Sequence, residues 1–148
     1  MHRIPRSGSI LALDWGERRF GVARSDVTQF LASPLETLTR RAGKRFPMPR
    51  FLELVAAAEA VGIVVGLPLG LDGSERENAA AARELADQVA RRTGLPVELV
   101  DERFTTVAAL DAIREVGGST RGRKGDVDAL AASILLQGFL DGRRKGGA

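Results

Sequence analysis

The chain has 148 residues, of which 44% are hydrophobic and 28% charged, and its formal net charge is +3; these values predict one globular domain. It contains no cysteine, and its one histidine is His2, which excludes disulfides and thiolate chemistry and argues against a His-based triad, general base or zinc site. No segment approaches the ~20 apolar residues of a membrane span and no signal peptide opens the chain, so we expect a cytoplasmic protein with no membrane partner.

Strands dominate the first third of the chain. Residues 9–14 (SILALD) predict a strand that ends in Asp14. Residues 20–24 (FGVAR) predict a second strand joined to the first by a hairpin, and residues 35–38 (LETL) a third. From Phe51 onward apolar residues recur at helical spacing, which predicts a helix that ends at Gly62.

Strands and helices alternate in the rest of the chain. The pattern predicts a central parallel strand over 63–66, a helix over 77–92 that stops at Gly94, and a strand over 97–100. A helix from Thr105 or Thr106 to Val116 and a last helix that starts at Asp126 follow. With the helices after the fifth strand counted together, the order is β-β-β-α-β-α-β-α. This predicts one α/β domain over residues 1–148, a mixed five-stranded sheet flanked by helices, with a core at about 9–140 and a basic tail at 141–148.

Acidic residues lie where the predicted strands end or a helix begins. Each has an ordinary explanation: a turn at Asp14, an N-cap at Asp126, a favourable helix dipole at Asp128, and a surface ion pair at Asp101 or Glu102. Carboxylates that converge at one end of a sheet, however, repel one another unless a cation lies between them. With oxygen ligands alone, Mg²⁺ or Mn²⁺ is the expected ion, and two such ions can activate water against a phosphodiester.

Basic residues are concentrated in three clusters. Each cluster is interpretable either as solvated loop or tail, or as a contact surface for phosphates. One tryptophan and six phenylalanines, without tyrosine, argue against a stacking platform for single strands. The clusters are Arg40, Arg41, Lys44, Arg45 and Arg50; Arg121, Arg123 and Lys124; and Arg143, Arg144 and Lys145.

Four segments resemble, in order, the motifs of the YqgF family: LALDWGERRFGVARSD, IVVGLPLGLDGSERENA, VELVDERFTTVAA and GRKGDVDALAASILLQGFL. The resemblance covers about Ser9 to Leu140. It implies a ribonuclease-H-like fold and a nuclease that processes the 5′ end of pre-16S ribosomal RNA, with ribosomal particles as partners. The alternative it implies is a Holliday junction resolvase acting on branched DNA, which would need a homodimer because a four-way junction is cut at two sites.

The resemblance also assigns the site residues. Asp14, Glu102 and Asp128 match the catalytic ligands of two Mg²⁺ or Mn²⁺ ions, with Asp101 and Asp126 as reserves. The loops beside the site are expected to include three glycines and a proline, namely Gly16, Gly66, Pro68 and Gly73. Contacts with the nucleic acid are expected from eight residues near the site: Arg18, Arg24, Arg103, Thr105, Thr106, Arg121, Arg123 and Lys124.

Two other interpretations stay open at this point. Actin-like and hexokinase-like ATPases also carry a DxG hairpin, but they need two lobes, and the Gly43-Lys44 pair lacks the rest of a phosphate loop. A non-catalytic RNA-binding or ribosome-binding module could retain the fold. The complete set of three acids argues against such a module, because it has no use for them beside a phosphate backbone.

Overall fold

A computed structural model describes residues 3–16, 18–41, 45–67, 77–101 and 124–145. Its strands are β1 (Ile10–Asp14), β2 (Arg19–Ser25), β3 (Ala32–Thr39), β4 (Gly62–Leu67) and β5 (Val97–Asp101). Its helices within these ranges are α1 (Met48–Ala58), α2 (Glu77–Thr93) and α3 (Lys124–Lys145). The described order is β-β-β-α-β-α-β-α, as the sequence predicts. The helix predicted from Thr105 or Thr106 to Val116 lies outside the described residues.

The five strands form one mixed sheet in the order β3-β2-β1-β4-β5. The strand pairs β1–β2 and β2–β3 are antiparallel, whereas β1–β4 and β4–β5 are parallel. All six residues of β4 are buried, as expected for a central strand covered on both sides. The predicted mixed sheet is therefore confirmed, and β1 lies at its centre with its carboxyl end at Asp14.

The two faces of the sheet pack against different helices. Leu11 and Leu13 belong to a core cluster that includes residues of α1 and α2, and we call this side the α1/α2 face. Ile10 and Ala12 point the other way and pack with the α3 residues Ala132, Leu136 and Leu140, which defines the α3 face. Strand alternation assigns every residue of β1, β2, β4 and β5 to one of these faces.

The ends of two helices differ from the prediction. Helix α1 ends at Ala58, because Glu59 adopts a left-handed conformation with φ of 50°, so Gly62 begins β4 rather than stopping the helix. Helix α3 continues to Lys145, so residues 141–145 are not a tail. No helix in the described part of the chain is long and apolar enough to cross a membrane.

Candidate active site

Asp14 ends β1 between two glycines. It pairs with Gly21 of β2 on one side and with Gly66 of β4 on the other. Because Asp14 alternates with Leu13 and follows Ala12 by two residues, it belongs to the α3 face. Gly66 thus lies in β4, as the strand predicted over 63–66 requires, and not in the loop to which the family resemblance assigns it. Neither of these two strand partners carries a side chain beside the Asp14 carboxylate.

Asp128 reaches the same edge of the sheet from the first turns of α3. A Cβ atom on Gly21 would lie 1.9 Å from the Asp128 backbone oxygen, so α3 can approach β2 this closely only where glycine stands. Since Gly21 is the partner of Asp14 in the sheet, this contact brings Asp128 next to the end of β1. The structure therefore places Asp14 and Asp128 on one face of the sheet and at one edge.

Arg19 is the residue of this region that sequence reasoning missed. Its Nε atom donates to Oδ2 of Asp128 over 2.7 Å, and both side chains are partly exposed. Strand parity was the signal that could have found it, because Arg19 shares the face of Gly21 whereas Phe20 packs in the α1/α2 core. The ion pair engages one carboxylate oxygen of Asp128 and neutralises part of the charge at this edge.

The reserve ligand Asp101 ends β5, which is separated from β1 by β4 in the sheet. Val97 packs on the α1/α2 face and Val100 on the α3 face, so Asp101 has the parity of Val97. Its partner in β4 is Leu67, which packs with the α2 residues Ala79 and Ala82. The cavity beside β5 is lined by Asp101 together with the α3 residues Leu135 and Phe139, so strand parity does not separate Asp101 from the α3 side of the sheet.

Several predicted site residues lie outside the described residues. Within the ranges that are described, no group of three His, Cys, Asp or Glu residues forms a metal site. The backbone of Asp126 and Lys124 belongs to α3, but their side chains are not described. The predicted residues outside the description are Glu102, Arg103, Thr105, Thr106, Arg121, Arg123, Pro68 and Gly73.

The remaining predicted residues occupy different places. Gly16 forms the turn after β1, where a Cβ atom would lie 2.2 Å from the Arg19 carbonyl oxygen. Arg18 is exposed at the same edge as Asp14, and its carbonyl accepts a hydrogen bond from the Arg40 N–H over 2.7 Å. Arg24 is exposed but pairs with Leu11 on the α1/α2 face. The structure does not bring Arg24 to Asp14.

Residues 8–142 match the family model RuvX, described as "Holliday junction resolvase". The chain belongs to the RuvX family. This is the family, also called YqgF, that the four motifs indicate. A protein from Anaeromyxobacter sp. named "Putative pre-16S rRNA nuclease" is 44% identical over 133 residues, which cover 90% of this chain and 96% of that protein. A protein of the same name from Nocardioides sp. is 43% identical, over 97% of this chain and 94% of the relative.

Solved structures confirm the fold of this RuvX-family chain. Thermus thermophilus RuvC, in a complex with a Holliday junction substrate, superimposes with a TM-score of 0.56 at 17% identity, covering 93% of this chain and 96% of that one. The yeast mitochondrial Holliday junction resolvase gives a TM-score of 0.54 at 10% identity, covering 92% and 78% respectively. The predicted ribonuclease-H-like architecture is thus confirmed, and the family match favours the nuclease interpretation over the ATPase one.

Proposed function

We propose that this RuvX-family chain is a metal-dependent nuclease that hydrolyses phosphodiester bonds of structured nucleic acid, with Asp14, Glu102 and Asp128 as its catalytic metal ligands. One observation carries the proposal: Asp14 and Asp128, far apart in the sequence, lie on the same face and edge of the sheet around Gly21. This is the edge formed by the carboxyl ends of the parallel strands, where ligand sites of α/β sheets gather. Glu102 enters the proposal through the family motif.

The donor chemistry at this edge fits a divalent ion. Carboxylate oxygens are the ligands that Mg²⁺ and Mn²⁺ prefer, and the chain has no thiolate and one histidine to offer instead. Gly66 carries no side chain beside Asp14, and the second oxygen of Asp128 is not engaged by Arg19. When bound, such ions neutralise phosphate charge and lower the pKa of water.

The residues of the chain have distinct roles in this proposal. Asp14 and Asp128 supply negative charge at fixed positions, because one belongs to a paired strand and the other to a helix packed on that strand. Arg19 orients the Asp128 carboxylate through its Nε hydrogen bond. Arg18, exposed at the same edge, contacts a phosphate that flanks the scissile bond.

The substrate we propose is precursor 16S ribosomal RNA, cut near its 5′ end, and the activity takes place in the cytoplasm on ribosomal particles. The names of the two relatives support this choice. The description of the family model supports the second candidate, a resolvase of four-way DNA junctions, and this role requires a homodimer with two active sites.

The test is cleavage of two labelled substrates in parallel: an RNA that carries the 16S 5′ leader and a four-way DNA junction. Each is incubated with Mg²⁺, Mn²⁺ or a chelator. We expect cleavage that needs metal and that Asp14→Asn lowers at least about a hundredfold, since preorganised charge at a reacting centre contributes this much. Asp87→Asn, the same change at an exposed position of α2, is the matched control and should leave the rate unchanged.

The two substrates separate the candidate functions. Preferred cleavage of the leader RNA supports rRNA processing, and preferred, symmetric cleavage of the junction supports resolution. If Asp14→Asn cleaves as fast as the parent, the proposed site is wrong. If neither substrate is cut with either metal, alone or with ribosomal particles, while RNA still binds, the chain is a binding module.

A further inference from the structure

A groove of about 640 Å³ lies on the α1/α2 face, whereas the two candidate catalytic acids lie on the α3 face. One wall is a stripe of α2 that runs from Ala81 to Arg92, about 16 Å at 1.5 Å per residue. The other wall includes Arg45 and Phe46, which lie between β3 and α1, and Met48, the first residue of α1. The groove is therefore elongated along α2 rather than a compact cavity.

Positive charge is concentrated in this groove. Arg40 and Arg45 line it from the first basic cluster, and Arg91 and Arg92 line it from the last turn of α2. Glu84 is the acidic residue in the same lining. Four guanidinium groups against one carboxylate give an excess of three positive charges, as large as the formal net charge of the whole chain. Planar guanidinium groups match phosphate oxygens in a bidentate geometry.

Aromatic rings form the floor of the groove. Phe20 is buried beneath it, and Trp15 and Phe46 are half-buried, each in edge-to-face contact with Phe20 at centroid distances of 6.3 and 4.8 Å. The composition argued against a stacking platform, but the fold gathers three of the few aromatic residues at one place. Partly accessible rings beside guanidinium groups are the combination on which unpaired bases stack.

The groove begins next to the candidate active site. Trp15 directly follows Asp14, and Phe20 precedes Gly21, the strand partner of Asp14. Arg40 is bonded through its backbone to Arg18, at the same edge of the sheet. From this edge the groove follows α2 towards Arg91 and Arg92. A polynucleotide that turns over the edge at Trp15 enters the groove directly.

The geometry points to a binding track for a single-stranded segment of the nucleic acid substrate, with phosphates on the four arginines and at least one base against Trp15 and Phe46. This inference rests on the proposed function, because it extends the substrate away from the scissile bond. A concave groove with rings at its floor fits unpaired nucleotides, whose bases can turn inward. The bases of a duplex are stacked and paired, so they cannot reach those rings.

The first experiment measures the binding of oligonucleotides to the protein in the presence of a chelator, so that the result does not depend on cleavage. The probes are a ten-nucleotide uridine RNA, a ten-nucleotide thymidine DNA and a blunt DNA duplex. Arg91→Ala combined with Arg92→Ala should weaken binding of at least one single strand about tenfold at low salt. It should lower the salt slope by about 1.4, since each lost phosphate contact on a single strand removes about 0.7. Duplex binding should change less than twofold.

The matched control removes two exposed arginines outside the groove. Arg6→Ala combined with Arg83→Ala lowers the net charge equally, so it accounts for the general electrostatic term. We expect this variant to bind all three probes within about twofold of the parent. If the two double variants bind single strands equally well, the inference is overturned.

The second experiment uses the unmodified chain. Trp15 is the one tryptophan of the sequence, so tryptophan emission reports on this end of the groove alone. Saturation with the single strand should quench it, whereas saturation with the blunt duplex should not. Unchanged emission with both single strands contradicts the inference even if a variant fails to fold. Failure of the proposed function is recognised separately, as cleavage that survives Asp14→Asn.

Discussion

The two ends of helix α3 are held against the rest of the protein in different ways. At the N-terminal end the Asp128 backbone lies directly on Gly21, and one ion pair, to Arg19, joins the helix to β2. At the C-terminal end two long cationic side chains reach out from the helix. Arg143 donates to the Ile4 carbonyl over 2.9 Å, and Arg144 lies 4.5 Å over the Phe30 ring.

This difference indicates how each end tolerates change. The backbone contact at Gly21 does not tolerate a larger residue, because any Cβ atom there would collide with α3. Helix α3 cannot shift away without also moving the Asp128 carboxylate. Contacts made by arginine stems and guanidinium groups are adjustable, since several rotamers reach similar partners. The N-terminal end of α3, which carries Asp128, is therefore sterically constrained, and we call it the strict end. The C-terminal end, which carries Arg143 and Arg144, is the adjustable end and contributes to stability.

The largest expected effect comes from Gly21→Ala, which disrupts the contact between β2 and the N-terminal end of α3. The new methyl group would lie 1.9 Å from the Asp128 backbone oxygen, so the start of α3 must move away from β2. We expect a loss of about 3 kcal/mol in the free energy of unfolding, measured by urea denaturation, together with loss of cleavage. Gly142→Ala is the control: its Cβ meets nothing within 4 Å and should stabilise the helix by up to about 1 kcal/mol. Equal stability of the two variants would contradict the close contact.

The next effect in size is expected from Arg143→Ala at the adjustable end. Arg143 is partly buried, and burial, followed by the charge of Arg6, lowers its pKa, while Glu98 opposes this. Removing the side chain eliminates the hydrogen bond to the Ile4 carbonyl and the packing over Phe139. We expect a loss of about 1–2 kcal/mol in unfolding free energy with the cleavage rate per folded molecule unchanged. A specific loss of cleavage would show that the two ends of α3 are not separate in function.

Arg19→Gln tests the N-terminal end of α3 electrostatically, because it removes the ion pair with Asp128 without adding bulk. The ion pair with Asp128 is exposed, so its loss should change the unfolding free energy by less than about 1 kcal/mol. The cleavage rate should fall about tenfold, because Asp128 loses the group that orients it. Arg50→Gln is the control, since Arg50 forms a similar exposed pair with Glu36 at 2.7 Å away from the acids. Equal rates for the two variants would remove Arg19 from the site.

Much of the fold could be predicted from the sequence. The apolar runs at 9–14, 63–66 and 97–100 predict strands that the structure confirms with shifts of one residue. Asp14 at the end of β1 could be predicted for the same reason, because a carboxylate that stops a buried strand must lie at the edge of the sheet. Strand β3 extends to Ala32–Thr39, well beyond the predicted 35–38, because its pairing with β2 and not its own apolar pattern sets its length.

Contacts between distant segments could not be predicted. Nothing local distinguishes Arg19 from Arg18, yet Arg19, the first residue of β2, donates to Asp128, whereas Arg18 precedes the strand. The prediction of a basic tail over residues 141–148 was wrong for 141–145, which belong to α3, for a related reason. Arg143 and Arg144 look like a solvated terminus in the sequence, but partners supplied by residues near the start of the chain and by the β2–β3 turn hold them in the helix.

The smallest effect tests the turn that supports the C-terminal end of α3. The Asp26 carboxylate accepts hydrogen bonds from the Thr28 hydroxyl and from the N–H groups of Leu31 and Phe30, and these bonds, that of Thr28 first, lower the pKa of Asp26 from 3.8 to about 2. A lowered pKa means that ionised Asp26 favours the folded state: the contribution is complete above pH 3.8 and is lost as the pH falls through about 2. Asp26→Asn should therefore lower the Tm at pH 7, by less than Arg143→Ala does, and this difference from the parent should shrink between pH 4 and pH 2. A Tm difference that is the same at pH 7 and pH 2 would mean that Asp26 acts through its shape rather than its charge, and the turn would then hold Phe30 under Arg144 without electrostatic help.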